Sequence, residues 1–311
     1  MIRKGLIALG CSILLGSFVQ ESAAQVKKIK TIVVDAGHGG KDSGAQGEYE
    51  NSLNSNEKDI TLTISLKLID ELKKLLPDLD IIPSRTTDVY DSPTEKARIA
   101  NEAKGDLFVC IHADAGENRR GSRQVGTKMV TKYKVRYEGK GKNKKKISES
   151  YEVEEPIYES YKMSNPANGT SVYIFNPTKI SDRLKAIKNE EFEPEFDVED
   201  TTIKHVDYTT PEGRILASAY SKLYLAKADL AATLVLAEIA KTGRKTLGVK
   251  QRAKGIWVLS ATKMPSILIE TGFISNEEDE KYLNSEEGQN EIVLAIAKAI
   301  KAYRDTVEAK K

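Results

Sequence analysis

Four side chains able to ligate a metal or move a proton fall where an α/β fold gathers its ligands. His38 lies three residues past a short apolar run, Thr31–Asp35 (TIVVD), and His112 closes another, Leu107–Ile111 (LFVCI). Glu57 opens a helical pattern, and Glu270 ends the run Ser266–Glu270. Ligands of open α/β sheets bind outside the carboxyl ends of the strands, so the four can converge. Two His and one carboxylate are a common catalytic zinc set that leaves the fourth tetrahedral position to water. Zinc lowers the pKa of that water to ~7, and a further carboxylate, Glu270, would take its proton. Gly37, Gly39 and Gly40 let the backbone around His38 turn sharply and come close to a metal or substrate. By type and spacing alone the four also read as separately satisfied groups, since a Glu at a helix start favours the helix dipole. The Gly-rich loop Ala36–Gly47 has neither G-x-G-x-x-G nor a Walker ending, which removes the usual phosphate cradles.

The elements that must position these residues follow βαβ grammar. Thr31–Asp35, Leu79–Pro83 and Leu107–Ile111 are predicted as buried strands. The stripe Ile60, Ile64, Leu68, Leu72, Leu75 predicts a first helix that Pro77 ends. Ser92-Pro93-Thr94-Glu95 offers a capping box with Pro at the first helical position, and Gly105 stops the helix that follows. Later come a strand at Gly169–Phe175, a long helix at Arg214–Lys241, strands at Ile256–Leu259 and Ser266–Glu270, and a closing helix at Glu286–Val307. The fold class expected is α/β: a mainly parallel twisted sheet flanked by helices, one catalytic domain with a large insertion. The insertion, about 116–213, breaks the grammar. It holds the basic run Gly139–Lys146 (GKGKNKKK) and the acidic run Asn189–Asp200 (NEEFEPEFDVED). Structureless stretches of this length are uncommon and tend to be lids or disordered segments.

The 311 residues carry 48 basic and 46 acidic side chains, a net charge of +2, which argues against a protein built to coat nucleic acid. Residues 1–24 read as a secretory signal peptide: Arg3 and Lys4, an apolar run from Gly5 to Val19, then Ser22-Ala23-Ala24 before Gln25. Cys11 would be a lipidation site only with an unusually short apolar stretch, so simple export is expected. The mature protein, 25–311, is then periplasmic or secreted with Cys110 as its one thiol, and no other run is apolar enough to span a bilayer.

Five segments in order, IVVDAGHGGKDSGAQG, the EKD at Glu57–Asp59, SRTTD at Ser84–Asp88, CIHADA at Cys110–Ala115 and ILIETGFISNEED at Ile267–Asp279, resemble the zinc-dependent N-acetylmuramoyl-L-alanine amidases of the bacterial cell-wall hydrolases. GVKQRAKGIWVL (Gly248–Leu259) is similar to the segment before that family's last strand, and the resemblance covers about 31–115 and 214–305. It implies Zn2+ held by His38, Glu57 and His112, with Glu270 as the catalytic carboxylate. The implied substrate is peptidoglycan, cut at the amide joining N-acetylmuramic acid to the L-alanine of the stem peptide, in wall remodelling or daughter-cell separation.

The chain departs from the family at Asp114, where members usually have Asn, and in its insertion. Some relatives carry a helical plug there that a partner removes. Part of 116–213 is therefore expected to be a regulatory lid open to an activator protein, with Glu190, Glu191, Glu193 or Glu195 available for the fourth zinc position; a passive surface insertion is the alternative. His205, with no motif around it, reads as a surface residue. Competing functions are a zinc peptidase or carboxypeptidase on stem peptides, disfavoured because Lys41 breaks a His-x-x-Glu pattern, and a non-enzymatic wall-binding protein, disfavoured because all four site positions are intact. The basic run raises docking on anionic polymers or lipid headgroups, with a solvated loop as the plainer reading.

Overall fold

A computed structural model describes residues 28–177, 210–251 and 257–309. Its sheet has six strands in the order β2-β1-β3-β8-β6-β7. These are β1 (Thr31–Ala36), β2 (Asp80–Pro83), β3 (Leu107–Asp114), β6 (Thr170–Ile174), β7 (Thr246–Lys250) and β8 (Ser266–Phe273). β1 runs parallel to β2 and to β3, and β3 parallel to β8. β6 is antiparallel to β8 and parallel to β7, so the sheet is mixed and mostly parallel.

Strand parity builds two cores. In β1, Ile32 and Val34 face one side with Leu107, Val109 and Ile111 of β3. That side is covered by α1 (Glu57–Leu75), α3 (Pro211–Lys241) and α6 (Glu286–Ala309). Ile60, Ile64, Leu68 and Leu72 recur at helical spacing in α1 and join the same cluster. Val33, Phe108, Cys110 and Leu268 point the other way, against Ala97 and Ala100 of α2 (Pro93–Glu102) and Val258 and Leu259 of α4 (Trp257–Ala261). Each fully buried aliphatic side chain contributes roughly 1.5–3 kcal/mol, so this sandwich anchors the domain. A short helix, α5 (Glu277–Asn284), links β8 to α6, with Asn276 accepting from the Asp279 amide at its start. The predicted capping box forms by half: Ser92 accepts from the Glu95 amide, while the Glu95 carboxylate pairs with Arg98 instead.

Two expectations are corrected. The run predicted as a strand at Ile256–Leu259 is helical from Trp257 to Ala261, and the strand of this region is β7, just before it. A short apolar run does not distinguish strand from buried helix by periodicity. The middle of the chain, expected to be loop, is a long hairpin: β4 (Arg120–Glu138) and β5 (Lys145–Lys162) pair antiparallel, separately from the main sheet. At ~3.4 Å per residue the ribbon is about 60 Å long. The basic run is its tip, where Gly139 (φ 101°) must be glycine because a Cβ would lie 2.4 Å from the Asn143 carbonyl oxygen. The expected signal peptide, Glu190, Glu191, Glu193, Glu195 and His205 lie outside the described residues.

Candidate metal centre

β1, β3 and β8 are neighbours, and their carboxyl ends carry His38, His112 and Glu270 to one edge of the sheet. Leaving β1, the chain bends at Gly37, whose amide donates to the Ile111 carbonyl (2.9 Å). A Cβ at Gly37 would fall 2.6 Å from His112 Nε2, so only glycine lets the backbone pass beneath that ring. His38 then takes a left-handed conformation (φ 58°), which turns its ring back toward α1. The loop returns through Gly44 to Glu57, whose amide donates to the Ala45 carbonyl at the first residue of α1.

Glu57 is buried between the two imidazoles. Its Oε2 lies 3.0 Å from His38 Nε2 and its Oε1 lies 2.8 Å from His112 Nδ1. The Ala45 and Ala113 amides donate to the same two oxygens at 2.8 and 3.0 Å and set the carboxylate plane. The rings meet edge to face, with centroids 4.8 Å apart. One ligand atom each from His38, Glu57 and His112 lie within 4.8 Å of one another. His38 Nδ1 is 2.9 Å from Asp42 Oδ2, the carboxylate backing that fixes the tautomer of a metal-ligating imidazole. Two nitrogens and a carboxylate oxygen, oriented from behind, are a donor set that fits zinc.

Glu270 stands beside this trio rather than in it. It is buried, in register with His112 across β3 and β8 and with Ser171 across β8 and β6. Its charge contributes to raising the His112 pKa. Thr271, next on β8, donates its hydroxyl to the His112 carbonyl (2.8 Å) and ties the two strand ends together.

The electrostatics follow from burial set against pairing. Burial pulls His38 down, but Glu57 and then Asp42 outweigh it and push its pKa to about 9. His112 is raised in the same contest, through Glu57. Burial pushes Glu57 up, and its hydrogen bonds to His112 and His38 overcome this and hold it well below the usual carboxylate range. The cluster is thus built to gather positive charge around one carboxylate.

Reading the sequence missed a clamp behind the loop. Arg85 donates from Nε to the Ala36 carbonyl (3.1 Å) and from Nη2 to those of Gly37 and Lys58 (2.9 Å each). Thr61 Oγ1 donates to the Gly37 carbonyl (2.7 Å), and Lys96 Nζ to the Ala36 carbonyl. Lys96 also pairs with the fully buried Asp35 (3.0 Å), which accepts from Ser84 and from the Cys110 thiol. Burial pushes the Asp35 carboxyl up, and Lys96 with those donors brings it below its ordinary value. Arg85 stands in SRTTD and Asp42 four residues after His38, so type and spacing carried a signal for both. Asp114, flagged as a departure, ends β3 with its Oδ1 accepting from the Ala115 amide (2.9 Å).

A family model described as N-acetylmuramoyl-L-alanine amidase matches residues 32–302. The N-acetylmuramoyl-L-alanine amidase AmiC of Escherichia coli O6:H1 is 28% identical over 276 residues, 88% of this chain and 52% of that protein. The chain spans about half the length of the first curated relatives it matches. Among solved structures, an N-acetylmuramoyl-L-alanine amidase from Clostridium difficile 630 superposes with a TM-score of 0.55 at 21% identity, covering 92% of this chain and all of that one. The CwlD amidase of Clostridioides difficile, solved in complex with the GerS lipoprotein, gives 0.51 at 20% identity, covering 89% and 99%. At these identities the structures share the fold.

Proposed function

The chain belongs to the N-acetylmuramoyl-L-alanine amidase family, and from that premise we propose that it hydrolyses the amide joining N-acetylmuramic acid to the L-alanine of peptidoglycan stem peptides, using zinc held by His38, Glu57 and His112. The observation that carries the reading is the convergence of those three donors beside a buried Glu270 at the strand ends. When bound, zinc supplies Lewis acidity toward the scissile carbonyl and the attacking water. Glu57 contributes the negative charge that holds the cation, and Asp42 keeps the His38 ring oriented with Nε2 inward. Glu270 is the general base: it takes the proton of the attacking water and delivers it to the leaving amine of L-alanine. Arg85, Thr61 and Lys96 keep the loop carbonyls fixed while this happens.

Export through a signal peptide at residues 1–24 suits a wall substrate. No helix among the described residues is long and apolar enough to cross a membrane. The acidic segment around Glu190–Glu195 belongs to the same proposal as a regulatory lid that an activator protein releases. Deleting the acidic run 189–200 is expected to raise turnover on purified wall, and unchanged turnover would remove the lid.

The test of the function is mass spectrometry of peptidoglycan digested by the protein with zinc, with a chelator, and with Glu270→Ala. Intact stem peptides beginning at L-Ala, absent from both controls, are expected. Release of single terminal amino acids would instead identify a carboxypeptidase.

A further inference from the structure

Beside the metal centre lies a pocket of about 470 Å³ whose walls come from the Gly44–Glu48 loop, the strand-end turn Ala115–Asn118 and the first rung of the ribbon, Arg120 with Lys162. Gly44 is the wall shared with the metal centre: a Cβ there would meet Glu57 Oε2 at 2.5 Å and His38 Cδ2 at 2.7 Å. A group in the pocket is therefore adjacent to the donor trio, and the volume suits a short peptide. The charges are sorted unevenly. Lys162 is committed to Glu48. Arg120 and Glu117 make no ion pair among the described residues, and both border the pocket. Asn118 adds a buried Oδ1 with no hydrogen-bond partner, its Nδ2 donating to the Glu48 carbonyl.

We infer that this pocket is the subsite for the peptide side of the substrate, with Arg120 pairing with a stem-peptide carboxylate and Glu117 with an ammonium of the same peptide. The inference rests on the amidase reading and adds which side of the metal centre the peptide occupies and what the chain recognises in it. A guanidinium matches a carboxylate in two parallel hydrogen bonds. The stem peptide is the part of this substrate that carries free carboxylates and, where its third residue is a diamino acid, an amine. The glycan side offers mainly hydroxyl and amide groups, so it makes less use of a guanidinium and a carboxylate that border the pocket without an ion pair among the described residues. The ribbon thereby acquires a role at its base: β4 begins at Arg120 and brings that side chain to the pocket rim.

The test compares wild type, Arg120→Ala and Arg120→Lys on soluble muropeptides whose stem carboxylates are free or amidated. Arg120→Ala is expected to raise KM about 10- to 100-fold on the free-carboxylate substrate with kcat changed little, the signature of lost uniform binding. Amidation should impose a similar penalty on wild type and almost none on Arg120→Ala, with Arg120→Lys between. Equal effects of Arg120→Ala on both substrates, or no effect on either, would overturn the subsite. Calorimetry of free stem peptide gives a readout that needs no turnover: weaker binding to Arg120→Ala is expected, and unchanged binding overturns the inference. Should wild type release no stem peptide from either substrate, the amidase reading fails on its own, and the calorimetry still decides the subsite. Glu117→Gln is expected to weaken binding of amine-bearing peptides and to leave their N-acetylated forms unaffected; equal weakening of both would remove its role.

Discussion

The six-stranded sheet and the β4–β5 ribbon both rest on backbone ladders, mostly parallel in the one and antiparallel in the other, and hold their shape by opposite means. In the sheet, β1, β3 and β8 are covered on both faces, and Ile32, Leu107, Phe108 and Ile267 are wholly buried. In the ribbon, Met129, Tyr133, Val135 and Tyr137 are exposed, Tyr133 by 68% and Tyr137 by 63%. What the ribbon has instead is cross-strand charge, Lys132 with Glu155 (2.9 Å) and Arg136 with Glu149 (2.7 Å). Exposed pairs of this kind are worth ~0–1 kcal/mol each. The lesson is that the side chains proposed for the chemistry sit where burial makes positions precise. The three donors occupy the end of the rigid region, and the ribbon touches the site only through its first rung.

The largest effect expected follows from breaking the rigid side at its centre. Glu57→Gln removes the anion between two imidazoles and should abolish zinc binding, with activity lost by ~10³-fold or more; zinc per chain by elemental analysis alongside turnover checks this. Next comes the packing that holds the centre. Leu68→Ala, at a fully buried position of α1, should cost ~2–5 kcal/mol in denaturant unfolding. Tyr133→Ala on the ribbon should change the same measurement by less than ~0.5 kcal/mol.

Proton linkage sharpens the contrast further. In chelator-treated protein, His38 at about 9 against an ordinary 6.5 contributes stability that is complete below pH 6.5 and lost as pH rises through about 9. Glu57, held below its ordinary 4.5, contributes stability that is present above pH 4.5 and lost on further acidification. Melting temperature should therefore fall between pH 6.5 and 9.5 in chelator, and zinc should reverse that slope, because both rings must shed protons to ligate. The smallest effect is expected from shortening the ribbon between Gly126 and Ile157 to a tight turn. The unfolding midpoint should stay nearly constant, since no core residue is removed. A large drop would mean that the ribbon is packed far more firmly than its exposure indicates.

Much of this was legible along the chain. β1, β2, β3, β6 and β8 follow from apolar runs bounded by turn residues, and α1, α3 and α6 from helical periodicity. The mainly parallel sheet follows from their alternation. The ribbon was not read, although β4 alternates Tyr133, Val135 and Tyr137 with Lys132, Lys134 and Arg136. Its register sets Tyr133 opposite Ser150 and Val135 opposite Ser148, so the pairing leaves neither face apolar and no core marks it. Helix α4 was misread as a strand because its apolar run is too short for a period to show. His38, Glu57, His112 and Glu270 could be singled out by type and by place at element ends, and Asp42 and Arg85 stood within reach of the same reasoning. The residues of the pocket, Arg120 above all, carry no local pattern.

Side-chain type and order in the sequence thus determined the fold class and the four residues worth asking about, because burial periodicity and strand-end position are local properties. Only the tertiary structure decided that Glu57 bridges both imidazoles, that Arg85 and Lys96 grip the loop carrying His38, and that the ribbon delivers Arg120 beside the centre. These are contacts between segments about twenty to eighty residues apart. They depend on which strands become neighbours and on which way each strand end points, and no single segment encodes either.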